Sequence, residues 1–164
     1  MKAYLDNNVV CAIANDDTPA ESGALDRLLI SYEEKKAGLV TSEVTLDEIK
    51  RCRDRGLSRR LERTFRLLEK VPIVRWDQLL GINSHGDRYT WINTPMIHND
   101  PLYGRLLELG VETIDAQHVF VAAKNACNAF LTCDKVILRR CPDIEKLCSL
   151  AVQTPSGFVA SQGW

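Results

Sequence analysis

No apolar run approaches the ~18 residues that a membrane-spanning helix needs. None of the six cysteines forms a C-x-x-C pair, and their spacings match no zinc framework. There is no Gly-x-Gly-x-x-Gly and no Walker loop, which argues against a dinucleotide enzyme or a nucleoside triphosphatase. There is no Gly-x-Ser-x-Gly elbow, which argues against Ser-His-Asp acyl transfer. Net charge is nearly absent too: 21 basic residues stand against 22 acidic ones. That balance excludes a chain basic throughout and an acidic, solvated, disordered one. The opening Met1-Lys2-Ala3-Tyr4-Leu5-Asp6 carries charge early and has no long apolar segment of a signal peptide. With free thiols, this leads to the expectation of a reducing cytoplasm and no membrane.

What remains is an ordinary globular composition, 45% hydrophobic over 164 residues, enough for one domain spanning 1–164. The charge is segregated. Residues 1–48 hold four basic and ten acidic residues; residues 49–70 hold nine basic and three acidic. Short apolar runs alternate with helical patterns. Ala3–Leu5, Leu39–Thr41, Val71–Trp76, Ala129–Thr132 and Val152–Thr154 read as extended, and Val9–Ala14 continues the first apolar run. Residues 20–36, 43–53, 58–70, 102–109 and 114–127 read as helical, with stops at Gly38, Gly56 and Gly110. Asp100-Pro101 is a helix-start signature. Phe158–Val159 reads as extended beyond Pro155 and Gly157. Residues 81–100 form a long loop. The alternation implies a three-layer α/β/α fold with a mainly parallel sheet of about five strands.

In open parallel sheets, ligands bind beyond the carboxyl ends of the strands. Acids follow three of these strands: Asp6, then Glu43, Asp47 and Glu48, then Asp134; Asp115 opens the helix before the last of the three. Carboxylates that converge on one edge repel, and a divalent cation is the economical neutraliser. A cation so held activates water and stabilises phosphoryl charge, which points to phosphodiester hydrolysis.

The segments Lys2–Val9, Leu39–Ile49, Ile114–Lys124 and Phe130–Asp134, together with the ending Val152–Phe158, resemble the successive motifs of PIN domains, and in particular of toxin-like, VapC-like ribonucleases. The resemblance implies a Mg²⁺- or Mn²⁺-dependent nuclease, an endoribonuclease acting on RNA. For the toxin-like members it also implies an antitoxin protein as partner, and a homodimer is compatible with the family. Carried over residue by residue, the catalytic, metal-holding acids are Asp6, Glu48, Asp115 and Asp134, supported by Asn8 and Thr132. Asn8 stands where Ser or Thr is common, and no further acid follows Asp134, which leaves a second metal site in question.

Plainer readings stand beside these. Thr45-x-x-Glu48 also fits a capping box, in which case Glu43 is the substitute ligand. Asp6 and Asp134 can end a strand or cap a turn. Asp115-x-x-His118 can share a metal, but such a histidine is more often a packing residue and is left out of the catalytic set. Arg59, Arg63 and Arg66 share one helical face, either solvated or a contact surface for an RNA backbone. Tyr89 and Trp91 either stack on bases or anchor the loop. Two other functions stay open: a non-catalytic RNA-binding or protein-interaction module, and a structure-specific DNA nuclease.

Overall fold

The computed structural model describes residues 1–15, 19–51, 73–74 and 100–164. Five parallel strands form one sheet in the order β3-β2-β1-β4-β5. They are β1 (Lys2–Leu5), β2 (Gly38–Ser42), β3 (Ile73–Val74), β4 (Ala129–Leu131) and β5 (Ala151–Gln153). β3 is two residues long, so four fuller strands carry the sheet. Register places Tyr4 opposite Val40 on one side and Phe130 on the other, with Phe130 opposite Val152.

The two-residue period of a strand sorts these side chains onto two faces. Tyr4, Val40, Phe130 and Val152 point into one core. There they meet α4 (Pro101–Glu108), α5 (Thr113–Lys124) and α7 (Cys141–Cys148). Ala3, Leu5, Leu39, Ala129 and Leu131 point into the other, against α1 (Asn7–Asn15), α2 (Pro19–Glu33) and α8 (Pro155–Gln162). Helix α3 (Glu43–Arg51), whose Val44 joins the first core, and short α6 (Lys135–Arg139) complete the set among the described residues. The result is the expected three-layer α/β/α arrangement. Both strand faces are covered, which is why the strands read as apolar runs rather than as alternating patterns. Helix α5 is buried continuously from Ala116 to Ala122, so it too is apolar nearly all round.

Local chemistry sets the boundaries. Asp100 caps α4 by accepting a 2.9 Å hydrogen bond from the Leu102 amide, with Pro101 in the first turn. Gly110, at φ 77°, closes the same helix in the left-handed region that glycine enters without strain. Three expectations need correction. Helix α2 ends at Glu33, not at residue 36: Lys35 takes the left-handed turn at φ 60°, and Gly38 is already the first residue of β2. Phe158 and Val159 are helical, not extended. The Thr154 side chain accepts from the Gly157 amide at 3.0 Å and starts α8, whose apolar pair then packs into the second core. Likewise Val9 and Val10 belong to helix α1. The expected helix at 58–70 and all of the expected loop at 81–100 except Asp100 lie outside the described residues, and no helix among those described is long and apolar enough to cross a membrane.

Asp100 also pairs with Lys124 of α5 at 2.7 Å. Burial alone would raise the Asp100 pKa, but Lys124 and the Leu102 amide outweigh it and hold the carboxyl below its ordinary range. A half-exposed ion pair adds little, so the cap dominates. Asp100→Ala is expected to lower stability by about 1 kcal/mol, read as a lower urea midpoint at unchanged slope. An unchanged midpoint would show that the cap contributes nothing.

Candidate metal centre

β1 is the central strand, and the chain moves outward from it in both directions. This is the switch point at which open α/β sheets form their crevice. Asp6 follows β1 directly and is buried, 1% exposed. Its amide donates to the Leu131 carbonyl at 3.0 Å, which ties the acid to the end of β4. Its carboxylate accepts from the Asn7 amide at 2.7 Å, from the Thr132 hydroxyl at 2.7 Å and from the Asn8 side-chain amide at 3.3 Å. Thr132 and Asn8 therefore aim Asp6.

Glu48 comes from α3 (Glu43–Arg51). The helix begins at Glu43, with the Ser42 hydroxyl accepting from the Val44 amide at 3.2 Å. Thr45 thus lies inside the first turn, buried and paired with Thr41 at 3.0 Å, and the capping-box alternative is not adopted. Glu48 reaches His118 of α5, with Oε2 2.7 Å from Nε2; Asp6 Oδ1 lies 3.7 Å from the same nitrogen. Ligand atoms of Asp6, Glu48 and His118 all fall within 4.8 Å of one another.

His118 is the residue that sequence reasoning set aside. It is 1% exposed, and its Nδ1 lies 2.7 Å from the Tyr4 hydroxyl, which lies 2.5 Å from the Ser42 hydroxyl. Tyr4 stacks on Phe130 at 5.5 Å between centroids and meets the imidazole edge-on at 5.8 Å. The readable signal was the Asp115-x-x-His118 spacing, which puts both residues on one helical face. Nothing local marked Tyr4, whose polar tip ends an otherwise apolar strand position.

The other two acids stand at the same edge in different roles. Asp134 caps α6, its carboxylate accepting from the Val136 amide at 2.6 Å and the Ile137 amide at 3.3 Å. Its own amide donates to the Thr132 hydroxyl at 3.0 Å, which links it to the group that aims Asp6. Asp115 is half-buried in the first turn of α5, and burial together with the fields of Asp6 and Asp134 pushes its carboxyl up to about 7. Burial raises Asp6 as well, against the pull of His118 and Thr132. For His118, burial opposes a charge, but the Glu48 bond and the fields of Asp6, Glu48 and Asp115 outweigh it and raise its pKa. Glu43 and Asp47 have partners of their own. Arg59, Arg63, Arg66, Tyr89, Trp91, His85 and His98 lie outside the described residues.

The donor set suits a divalent cation. Two carboxylates and an imidazole converge where a third carboxyl is already strained toward protonation, and a cation relieves that repulsion. The five described cysteines are not part of it: none is in a disulfide, and burial raises Cys127 and Cys148 to about 11 and Cys133 to about 12, so those three stay thiols.

Neither a protein-family model nor a curated sequence matches the chain. Its fold is similar to that of a chain in the crystal structure of VapBC2 from Rickettsia felis bound to a DNA fragment from their promoter. The TM-score is 0.56 at 12% identity, over 94% of this chain and 98% of that one. At that identity the likeness is one of fold, and the fold is PIN-like.

The carboxyls and the imidazole at this edge are shifted with one sign. Asp6 and Asp115 bind protons more tightly folded than unfolded, so stability falls as pH rises from about 4, the unfolded value, through about 7 for Asp115. The raised His118 contributes stability below about 6.5 that is lost as pH rises through its folded value. Melting in chelator is therefore expected to weaken from pH 5 to pH 8. Asp115→Asn is expected to flatten that slope and to melt above the wild type at pH 8; a lower melting point there would show that the carboxylate is not strained.

Proposed function

We propose that the chain is a metal-dependent endoribonuclease with a PIN-like fold, the toxin of a toxin–antitoxin pair. The observation that carries this reading is the convergence of the buried Asp6 carboxylate with Glu48 and His118 beyond the end of the central strand. Asp6 and Glu48 would hold Mg²⁺ or Mn²⁺, with Asp115 and Asp134 reaching it directly or through its waters. A cation so bound supplies a Lewis acid that activates water and neutralises charge on the scissile phosphate. Thr132 and Asn8 fix the Asp6 carboxylate, and α5 and α3 bring His118 and Glu48 to it from one side of the sheet. Arg59, Arg63 and Arg66, a short way beyond α3 in sequence, are proposed to receive the RNA backbone. The likeness to a chain of VapBC2 supports an antitoxin protein as partner.

A second reading rests on His118. Its 2.7 Å contact with Glu48 and its nearness to Asp6 supply a counter-charge that needs no metal. That favours a non-catalytic RNA-binding or protein-interaction module of the same fold.

Single-stranded RNA with 1 mM Mn²⁺ or excess chelator separates the two. The nuclease reading expects internal cuts with Mn²⁺, none with chelator, and a loss of at least ~100-fold in rate for Asp6→Asn. RNA retained intact by the wild type with either Mn²⁺ or Mg²⁺ would leave the binding module standing. Equal cutting by Asp6→Asn would reject this carboxylate as a ligand.

A further inference from the structure

We propose that His118 Nε2 is itself a ligand of the cation, so that the centre combines one imidazole nitrogen with the carboxylates of Asp6 and Glu48 and prefers Mn²⁺ to Mg²⁺. This rests on the metal-site reading given above and deepens it.

The case begins with what surrounds the ring. His118 is buried, and its two nitrogens face different chemistry. Nε2 looks toward Glu48 Oε2 at 2.7 Å and Asp6 Oδ1 at 3.7 Å. Nδ1 looks toward the Tyr4 hydroxyl at 2.7 Å. Ligand atoms around a cation with bonds of ~2.1 Å stand roughly 3 Å apart, and these two separations bracket that value. Nε2 can offer a proton to Glu48 or a lone pair to a cation, and the chain behind it accommodates either. When Nε2 carries the proton, the Tyr4 hydroxyl donates to Nδ1. When Nε2 offers its lone pair, Nδ1–H donates to Tyr4 and Tyr4 donates to Ser42, 2.5 Å away. Ser42 is held in place because its oxygen also accepts from the Val44 amide at the start of α3.

Such a buried partner on the far nitrogen is how proteins fix the tautomer and aim of a metal-binding histidine. Tyr4 is well suited to it: the residue lies in the central strand, is fully buried, and is clamped by Phe130. A histidine that merely fills space does not require a polar relay running from the middle strand to a helix cap. The nitrogen then decides the metal. Mg²⁺ favours oxygen and dehydrates reluctantly, whereas imidazole suits the first-row transition ions.

The test uses the full chain loaded with Mn²⁺ alone. Pulsed electron paramagnetic resonance is recorded on protein carrying natural-abundance or ¹⁵N-labelled histidine. An imidazole-nitrogen coupling that changes with the isotope and disappears in His118→Gln supports the proposal. The sequence holds three histidines, so if His118→Gln does not fold, a coupling retained when both His85 and His98 are replaced by Gln assigns it equally well. Tyr4→Phe is expected to keep the coupling while raising the half-saturating Mn²⁺ concentration ~10-fold. Wild type is expected to bind Mn²⁺ at least ~10-fold more tightly than Mg²⁺. Bound Mn²⁺ without imidazole coupling, or equal affinity for Mg²⁺, overturns the proposal and leaves a carboxylate centre standing. Failure to bind Mn²⁺ at all overturns the proposal along with the reading beneath it.

Discussion

A carboxylate buried at the end of the central strand is the constraint around which this edge of the protein is organised. Asp6 is 1% exposed, and an unpaired charge in that position costs several kcal/mol. The chain therefore surrounds it with partners drawn from three places: the Asn7 amide and Asn8 side chain at the start of α1 and the Thr132 hydroxyl beyond β4 donate hydrogen bonds, and the His118 imidazole of α5 stands 3.7 Å away as a counter-charge. The three segments belong to different layers, so this arrangement exists only when the sheet and both helical layers are assembled. The raised carboxyl of Asp115 marks where burial and the neighbouring acids conflict.

The architecture was legible because it depends on local patterns. Apolar runs at Ala3–Leu5, Leu39–Thr41 and Ala129–Thr132 became strands, and Asp100-Pro101 became a capped helix, because each signal has a local physical cause. The misreadings were local as well. Pro155 and Gly157 looked like interruptions of an extended segment, but Thr154 turned them into the first turn of α8. Gly38 looked like a helix stop, but the chain turned three residues earlier at Lys35 and used Gly38 in β2.

The site was only half legible, for a different reason. Acids that follow strands can be found by reading along the chain, and Asp6 and Glu48 do come together. The His118 relay could not be found that way. Its members, Tyr4, Ser42, Glu48 and His118, are spread over 114 residues, and their contacts arise from register: Tyr4 of β1 lies beside Val40 of β2, which brings Ser42 to the same end. Only the parallel pairing of β1 with β2 converts a strand tyrosine into the partner of a helix histidine.

The central claim is that this edge of the sheet is a divalent-cation site, and locating the ion tests it most directly. Crystals equilibrated with Mn²⁺ and measured at a wavelength where manganese scatters anomalously are expected to show one peak bounded by Asp6, Glu48 and His118. Density showing His118 still bonded to Glu48 at saturating Mn²⁺, with no anomalous peak between them and Asp6, would contradict it.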